Sequence, residues 1–87
     1  MELKVFVMEK CPKCPRAKEI ARRVAEKYGL EYVEIRLDTP EGEIEALMHN
    51  VVSTPSIALG DEVLVRGDLL PEEALEAEVR KRLVRAD

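Results

Sequence analysis

The chain has 87 residues, of which 46% are hydrophobic and 37% charged, and its formal net charge is −4. This length limits it to one domain over residues 1–87, and the composition excludes both a disordered and a membrane-spanning chain. The acidic balance, 14 Lys and Arg against 18 Asp and Glu, argues against a nucleic-acid partner. Residues 1–10 lack the pattern of a signal peptide, so we expect a cytoplasmic protein without a membrane partner.

The polar composition predicts a source that grows at high temperature. The chain uses Glu, Lys and Arg heavily, contains a single Asn (Asn50), and has neither Gln nor Trp. This pattern is typical of thermophilic proteins. The alternative is a drift of composition in a small chain.

The first predicted strand is Leu3–Met8, a short run that is apolar at nearly every position. Such a run is typical of a strand covered on both faces, so we place it at the centre of a sheet. A helix is predicted from near Pro12 to Tyr28, and Gly29 follows it where a left-handed C-cap is favoured. The apolar stripe of this helix consists of Ala17, Ile20, Ala21, Val24, Ala25 and Tyr28.

The next segment predicts a half-exposed strand followed by a short helix. Tyr32–Leu37 alternates between apolar and charged residues, which is typical of a strand at the edge of a sheet. Thr39 and Pro40 supply the N-cap and the first-turn proline of a helix that ends near Asn50. We expect the inward face of this helix to consist of Ile44, Leu47 and Met48.

A hairpin and a last helix complete the predicted order β-α-β-α-β-β-α. The hairpin strands are Ser56–Leu59 and Glu62–Arg66, and the Gly60-Asp61 pair between them favours a tight turn. Pro71 opens the last helix. Its inward positions are Leu75, Val79 and Leu83.

The two cysteines, Cys11 and Cys14, flank Pro12 and Lys13 at the junction of the first strand and the first helix. A loop this small contributes little stability when closed, so the spacing indicates redox or metal chemistry. A helix N-terminus offers free N–H groups and a partial positive charge, which favour the Cys11 thiolate, and Lys10 and Lys13 add to this weakly. We expect Cys11 at the cap position as the nucleophile of disulfide exchange, and a more buried Cys14 as the resolving thiol.

Metal binding is the alternative use of the cysteine pair. Tetrahedral zinc needs about four ligands, and the chain adds only the distant His49. A Cu(I) carrier is the stronger rival, since small copper chaperones also place two cysteines after their first strand. Those proteins carry Met two residues before the first cysteine, where this chain has Glu9. An inert pair is the third possibility, and the redox interpretation requires no metal or organic cofactor.

The cysteine motif and the Thr54-Pro55 dipeptide together make the chain resemble the thioredoxin superfamily. Residues 11–18, Cys-Pro-Lys-Cys-Pro-Arg-Ala-Lys, are similar to the opening of glutaredoxins, and the element order matches over essentially the whole chain. The chain looks like a small glutaredoxin-like thioredoxin of the archaeal type. The resemblance implies a three-layer α/β fold, with helices on both faces of a four-stranded mixed sheet in the order 2-1-3-4.

The resemblance also implies how a substrate is held. Pro55 would be cis and face the cysteines, and the backbone of Thr54 would pair with an extended substrate segment. Pro12 and Lys13 would border the same groove, and Gly67 would leave it free of a side chain. The implied activity is dithiol–disulfide exchange with disulfide-containing proteins, carried out by a monomer.

Three departures qualify the resemblance. Val5 stands where thioredoxins hold a buried Asp, so proton release from Cys14 needs solvent or another group. Lys13 stands where glutaredoxins carry Tyr. The segment Arg66-Gly67-Asp68 keeps only part of the glutathione site.

These departures bear on the electron donor. Docking of a flavin-dependent thioredoxin reductase needs an exposed Cys11, the Thr54-Pro55 backbone and the apolar loop residues Val51 and Val52. All of these are present in the sequence. We therefore expect a reductase of this kind, and not glutathione, to supply the electrons.

Overall fold

Seven elements make up residues 1–85, the part of the chain that the computed structural model describes; Ala86 and Asp87 of the predicted domain lie outside it. In chain order they are β1 (Glu2–Val7), α1 (Cys14–Lys27), β2 (Glu31–Arg36), α2 (Pro40–Met48), β3 (Ser56–Leu59), β4 (Glu62–Val65) and α3 (Glu72–Arg85). This is the predicted order, and each predicted end lies within two residues of the observed one. Within this range none of the helices has the length and apolarity of a membrane span.

The four strands form one mixed sheet in the order β2-β1-β3-β4, which confirms the predicted order 2-1-3-4. β1 runs parallel to β2 and antiparallel to β3, and β3 pairs with β4 in an antiparallel hairpin. In this register Val5 lies beside Glu34 of β2, and Phe6 lies opposite Ser56 of β3. β1 is central because it is apolar on both faces and needs cover on both.

Helices cover the two faces of the sheet. α1 and α3 pack on one face, and the core on that side includes Leu3, Val5, Val7, Ile20, Val24, Ile57, Leu75 and Val79. α2 packs on the other face, over a smaller cluster of Phe6, Ile35, Ala46, Val51 and Ala58. Alternate residues of β1 therefore belong to different cores. This is the three-layer arrangement that the resemblance implies.

α2 buries a different face from the one predicted. The residues expected to face inward are Ile44, Leu47 and Met48, and the structure leaves them 62%, 61% and 74% exposed. The prediction is wrong, and the helix instead buries Gly42 and Ala46, four residues apart. A Cβ at position 42 would overlap the carbonyl oxygen of Arg36, so the absence of a side chain lets α2 lie against the end of β2. Close approach of two backbones decides which face of α2 is buried.

α1 begins at Cys14, with Lys13 as its N-cap, two residues later than predicted. Cys11 therefore does not occupy the cap position expected for it. A cap at Cys11 would need the N–H of Pro15 to donate to the Cys11 carbonyl, and proline has no N–H. The Cys11 carbonyl oxygen instead accepts from the Cys14 N–H at 3.2 Å, which closes a turn ahead of the helix. At the other end Gly29 has a φ of +65°, in the left-handed region predicted for it.

A charged side chain lies beneath α2. Lys4 of the central strand is only 9% exposed. Its ammonium group donates to Glu45 Oε2 at 3.2 Å and to His49 Nε2 at 3.3 Å. His49 Nδ1 donates to the Glu45 carbonyl oxygen at 3.0 Å. His49 is the C-cap of α2, and these contacts fix that end of the helix on β1.

Candidate active site

Cys11 and Cys14 form a disulfide in the turn between β1 and α1. Their Cα atoms are 5.3 Å apart, which the turn imposes through its backbone hydrogen bond. Cys14 is 3% exposed and packs in the core between α1 and the sheet, whereas Cys11 is only half-buried at the rim of that core. Only the Cys11 end of the disulfide therefore faces a partner.

The N-terminus of α1 lies directly against the disulfide. Lys13 makes no side-chain cap, and the first turn contains no acidic residue. The free N–H groups and the positive end of the helix dipole are therefore left for a sulfur anion. The N-terminus of α1 can therefore stabilise a thiolate in this turn, although Cys11 itself lies outside the helix.

The Thr54-Pro55 loop lies at the same end of the sheet as the cysteines. Ser56 opposes Phe6 in the antiparallel pair, so the residues before β3 meet the residues after β1. The Thr54–Pro55 peptide bond is cis, as the resemblance implies. Ser56 is fully buried; its Oγ donates to the Ser53 carbonyl at 2.7 Å and accepts from the Gly67 N–H at 3.0 Å. This hydroxyl joins the proline loop to the segment after β4.

An ion pair connects the cysteine motif to the same loop. Lys13 Nζ lies 3.3 Å from Asp68 Oδ1, and the Asp68 N–H donates to the Pro55 carbonyl at 3.0 Å. The N–H of Leu69, and after it the Lys13 ammonium, hold the pKa of Asp68 below its usual range. Both side chains of the pair are largely exposed, so the pair is screened by solvent. It orients Lys13 across the loop more than it stabilises the fold.

Gly67 has a φ of +69°, a conformation that side chains rarely adopt. A Cβ at this position would collide with the side chain of Ser53. The glycine therefore keeps the segment after β4 close to the proline loop.

Two hollows lie at this end of the sheet. One, of about 130 Å³, is lined by both cysteines and by Val7, Met8, Glu9, Pro15, Lys18, Glu34 and Arg36. The other is an apolar groove of about 280 Å³, lined by Met8, Leu37, Glu43, Ala46, Leu47, Val51 and Val52. Met8 lines both, so the two hollows adjoin at the end of β1. A wider hollow of about 610 Å³, lined mostly by charged residues, lies away from the sulfurs between β2 and α2.

The structure brings the predicted site residues to one end of the sheet, with one correction. The motif and the loop are joined by the contacts of Lys13 and Asp68. Val51, expected in an exposed apolar loop, is 2% exposed because it fills the core under α2, while Val52 is 82% exposed. Sequence reasoning missed Ser56, although a serine within an otherwise apolar strand was a usable signal. It also missed Glu34, whose position depends on strand register.

A family model described as Thioredoxin domain matches residues 1–80. The chain belongs to the thioredoxin family. A probable thioredoxin of Archaeoglobus fulgidus is 31% identical over 71 residues, covering 82% of this chain and 76% of the relative. A thioredoxin of Methanocaldococcus jannaschii is 26% identical over 87 residues, covering 95% and 96%.

Solved structures show the same fold at lower identity. Thioredoxin 1 of Thermosipho africanus superposes with a TM-score of 0.78 at 13% identity, covering 99% of this chain and 98% of that one. A thioredoxin from Thermus thermophilus gives 0.68 at 23% identity, covering 97% and 74%. With the cysteine pair bonded at the expected place, this thioredoxin-family chain is a dithiol–disulfide oxidoreductase. The metal-carrier alternative is not favoured.

Proposed function

We propose that the protein reduces disulfide bonds of other proteins, with Cys11 as nucleophile and Cys14 as resolving thiol. The unequal exposure of the two cysteines carries this assignment. The Cys11 thiolate attacks one substrate sulfur, forms a mixed disulfide and expels the other substrate sulfur as a thiolate. Cys14, once deprotonated, attacks Cys11 and expels the second substrate thiolate. Two electrons pass to the substrate, and the protein ends as the Cys11–Cys14 disulfide.

The residues around the disulfide would position an extended substrate segment. Thr54 and Pro55 offer backbone groups at the end of β3, beside the turn that carries Cys11. Pro12 and Lys13 border the site from the motif, and the Lys13–Asp68 pair ties that border to the loop. Gly67 belongs to the segment after β4, on the third side of the site, and adds no side chain there.

Trapping experiments test the division of roles. Cys14→Ser is expected to accumulate long-lived mixed disulfides on Cys11, because the resolving step is removed. Cys11→Ser is expected to lose exchange and to trap nothing, since the remaining thiol is buried. Intact-mass analysis after incubation with a disulfide-bonded protein measures both. Adducts on Cys14 in the Cys11→Ser variant would reverse the assignment.

A flavin-dependent thioredoxin reductase is the proposed electron donor. The apolar groove adjoins the cavity of the cysteines at Met8 and extends to Leu47 of α2 and the exposed Val52, which suits a protein surface. Asp68 and Lys13 are already engaged with each other, which leaves less of a charged rim for glutathione. Turnover with NADPH and a thioredoxin reductase, compared with turnover with glutathione and its reductase, decides between the donors.

The remaining proposals concern the organisation of the protein and its setting. One chain supplies both cysteines and the loop that borders them, so the proposed site needs no residue from a second copy. We therefore propose that residues 1–87 act as one domain and as a monomer. A reductant of protein disulfides works where thiols are kept reduced, so we place it in the cytoplasm. Light scattering of the oxidised and reduced forms tests the monomer, and a stable dimer in either form would contradict it.

A further inference from the structure

Cys14 must lose a proton during exchange, yet its surroundings disfavour the anion. Its side chain is 3% exposed and belongs to a core of apolar residues. The thiolate is the species that attacks the mixed disulfide, and burial makes this form costly. The β1 residues of the same core, among them Val5 and Val7, carry no group that accepts a proton. A proton acceptor has to reach Cys14 from elsewhere.

The 130 Å³ cavity supplies such a route. Both cysteines line it, and four other residues of its wall are charged: Glu9, Lys18, Glu34 and Arg36. A cavity with polar walls and this volume has room for water, which relays protons between groups that do not touch. The route therefore connects the buried sulfur to a small set of carboxylates.

Of the two carboxylates in the wall, Glu34 is the better placed. The β1–β2 register sets it beside Val5, within the strand pair that α1 covers. Its Oε2 lies 3.9 Å from Lys18 Nζ, and Lys18 is one turn after Cys14 on α1. Both residues are exposed, but Glu9 lies in the turn after β1, outside the strand pair that α1 covers.

The charged and polar groups that face Glu34 come from α1, β2 and the turn after β1. Lys18 of α1 is its ion-pair partner. Tyr32 donates to Glu34 Oε1 at 3.2 Å, and burial followed by the charge of Glu34 raises the pKa of Tyr32 to about 12, so the phenol stays a donor. The other charged groups around it are Arg22, which lies over the Tyr32 ring, and Arg36, which is paired with Asp38 at 2.6 Å. The remaining one is Glu9.

We infer that Glu34 accepts the proton of Cys14 through this cavity during the resolving step. The inference rests on the proposed roles of the two cysteines. The Cys14 S–H bond breaks, its proton passes to the Glu34 carboxylate, and the sulfur keeps the electron pair. The Cys14 thiolate then attacks Cys11 and expels the substrate thiolate, and Glu34 returns the proton to solvent.

A two-phase reaction with an aromatic disulfide isolates this step. The expelled aromatic thiolate is coloured and needs no proton, so the first phase reports attack by Cys11 and the second reports resolution by Cys14. Glu34→Gln is expected to slow the second phase near neutral pH by roughly a hundredfold, the lower end of what a positioned acid or base contributes. The difference between the two proteins should shrink as pH rises above about 9, because hydroxide increasingly replaces the carboxylate as proton acceptor. Glu34→Asp should retain part of the rate.

Glu31→Gln is the matched control, since it removes the same charge from β2 outside the cavity and should leave both phases unchanged. An unchanged second phase in Glu34→Gln would overturn the inference. So would equal slowing of both phases, or an equal loss in Glu9→Gln. Absence of the first phase in the unsubstituted protein would instead refute the proposed role of Cys11.

Discussion

Gly42 shows how a single missing side chain decides the placement of an element. It occupies the third position of α2, where alanine ordinarily stabilises a helix relative to glycine by about 1 kcal/mol. Here the carbonyl oxygen of Arg36 occupies the space that a Cβ would need. The local preference for alanine and the tertiary demand for glycine therefore oppose each other, and the backbone contact should win.

Gly42→Ala is accordingly expected to destabilise the protein, by about 1–3 kcal/mol as in other overpacked sites. Gly60→Ala is the control, because Gly60 has a φ of +59° and nothing within 4 Å of its Cβ position. It should show only the cost of a strained backbone, about 1 kcal/mol. Urea denaturation of both variants measures the difference. A Gly42→Ala protein more stable than the unsubstituted one would show that α2 can shift away from β2 freely.

α2 also marks the limit of what the sequence could predict. The apolar run of β1 was enough to place that strand at the centre, and the Gly60-Asp61 pair was enough to place the hairpin. Two stripes of α2 have helical spacing, and hydrophobicity favours Ile44, Leu47 and Met48 over Gly42 and Ala46. The choice depends on a contact with Arg36 that no local pattern contains. The place of Glu34 in the cavity that the cysteines line likewise depends on strand register.

The exposed apolar residues of the groove provide a test of the reductase proposal. Replacing both Leu47 of α2 and Val52 after it, the exposed residues of the apolar groove, by Ser should slow turnover with NADPH and thioredoxin reductase about fivefold or more, the effect of losing 1 kcal/mol of binding. Stability should change by no more than about 0.5 kcal/mol, because both side chains are mostly exposed. Val84→Ser is the control, since Val84 is 73% exposed on α3. Equal turnover in all three proteins would place the reductase elsewhere.

Charged contacts link α1 and α3 on the face opposite α2. Glu76 of α3 accepts from Lys27 at 2.6 Å and from the Tyr28 hydroxyl at 3.0 Å, and Arg80 lies 3.8 Å away. A second bridge joins Arg23 to Glu72 at 3.5 Å. Ion pairs organised in this way are typical of proteins from hot environments, and the thermophilic source stays a prediction that a thermal unfolding curve would test.

Glu76 should make stability depend on pH in a defined direction. The hydrogen bond from Lys27, and after it the one from Tyr28, lower the pKa of Glu76 below its ordinary value of 4.5. A group whose pKa is lowered by folding stabilises the protein at pH values above its unfolded-state pKa. That stabilisation is lost as the pH falls through its folded-state pKa. Glu76→Gln should therefore be less stable than the unsubstituted protein at pH 7, with the gap closing as pH falls below the folded-state pKa of Glu76. Denaturation along a pH series from neutral into strong acid measures it, with Glu26→Gln as control; a gap that persists in strong acid would point to packing instead.

The apolar groove beside Met8 has a consequence for how the protein finds its partners. Two molecules that collide at random seldom present their reactive atoms to each other, and this orientational search slows most protein associations well below the diffusion limit. The surface is apolar at the end of the sheet that bears Cys11 and charged on the α1–α3 face. This asymmetry favours encounters in which the partner meets the end that carries the sulfur. Any chain with exposed apolar residues near a disulfide would be held there briefly. The same few apolar side chains would therefore let the protein bind many different partners and release each of them quickly.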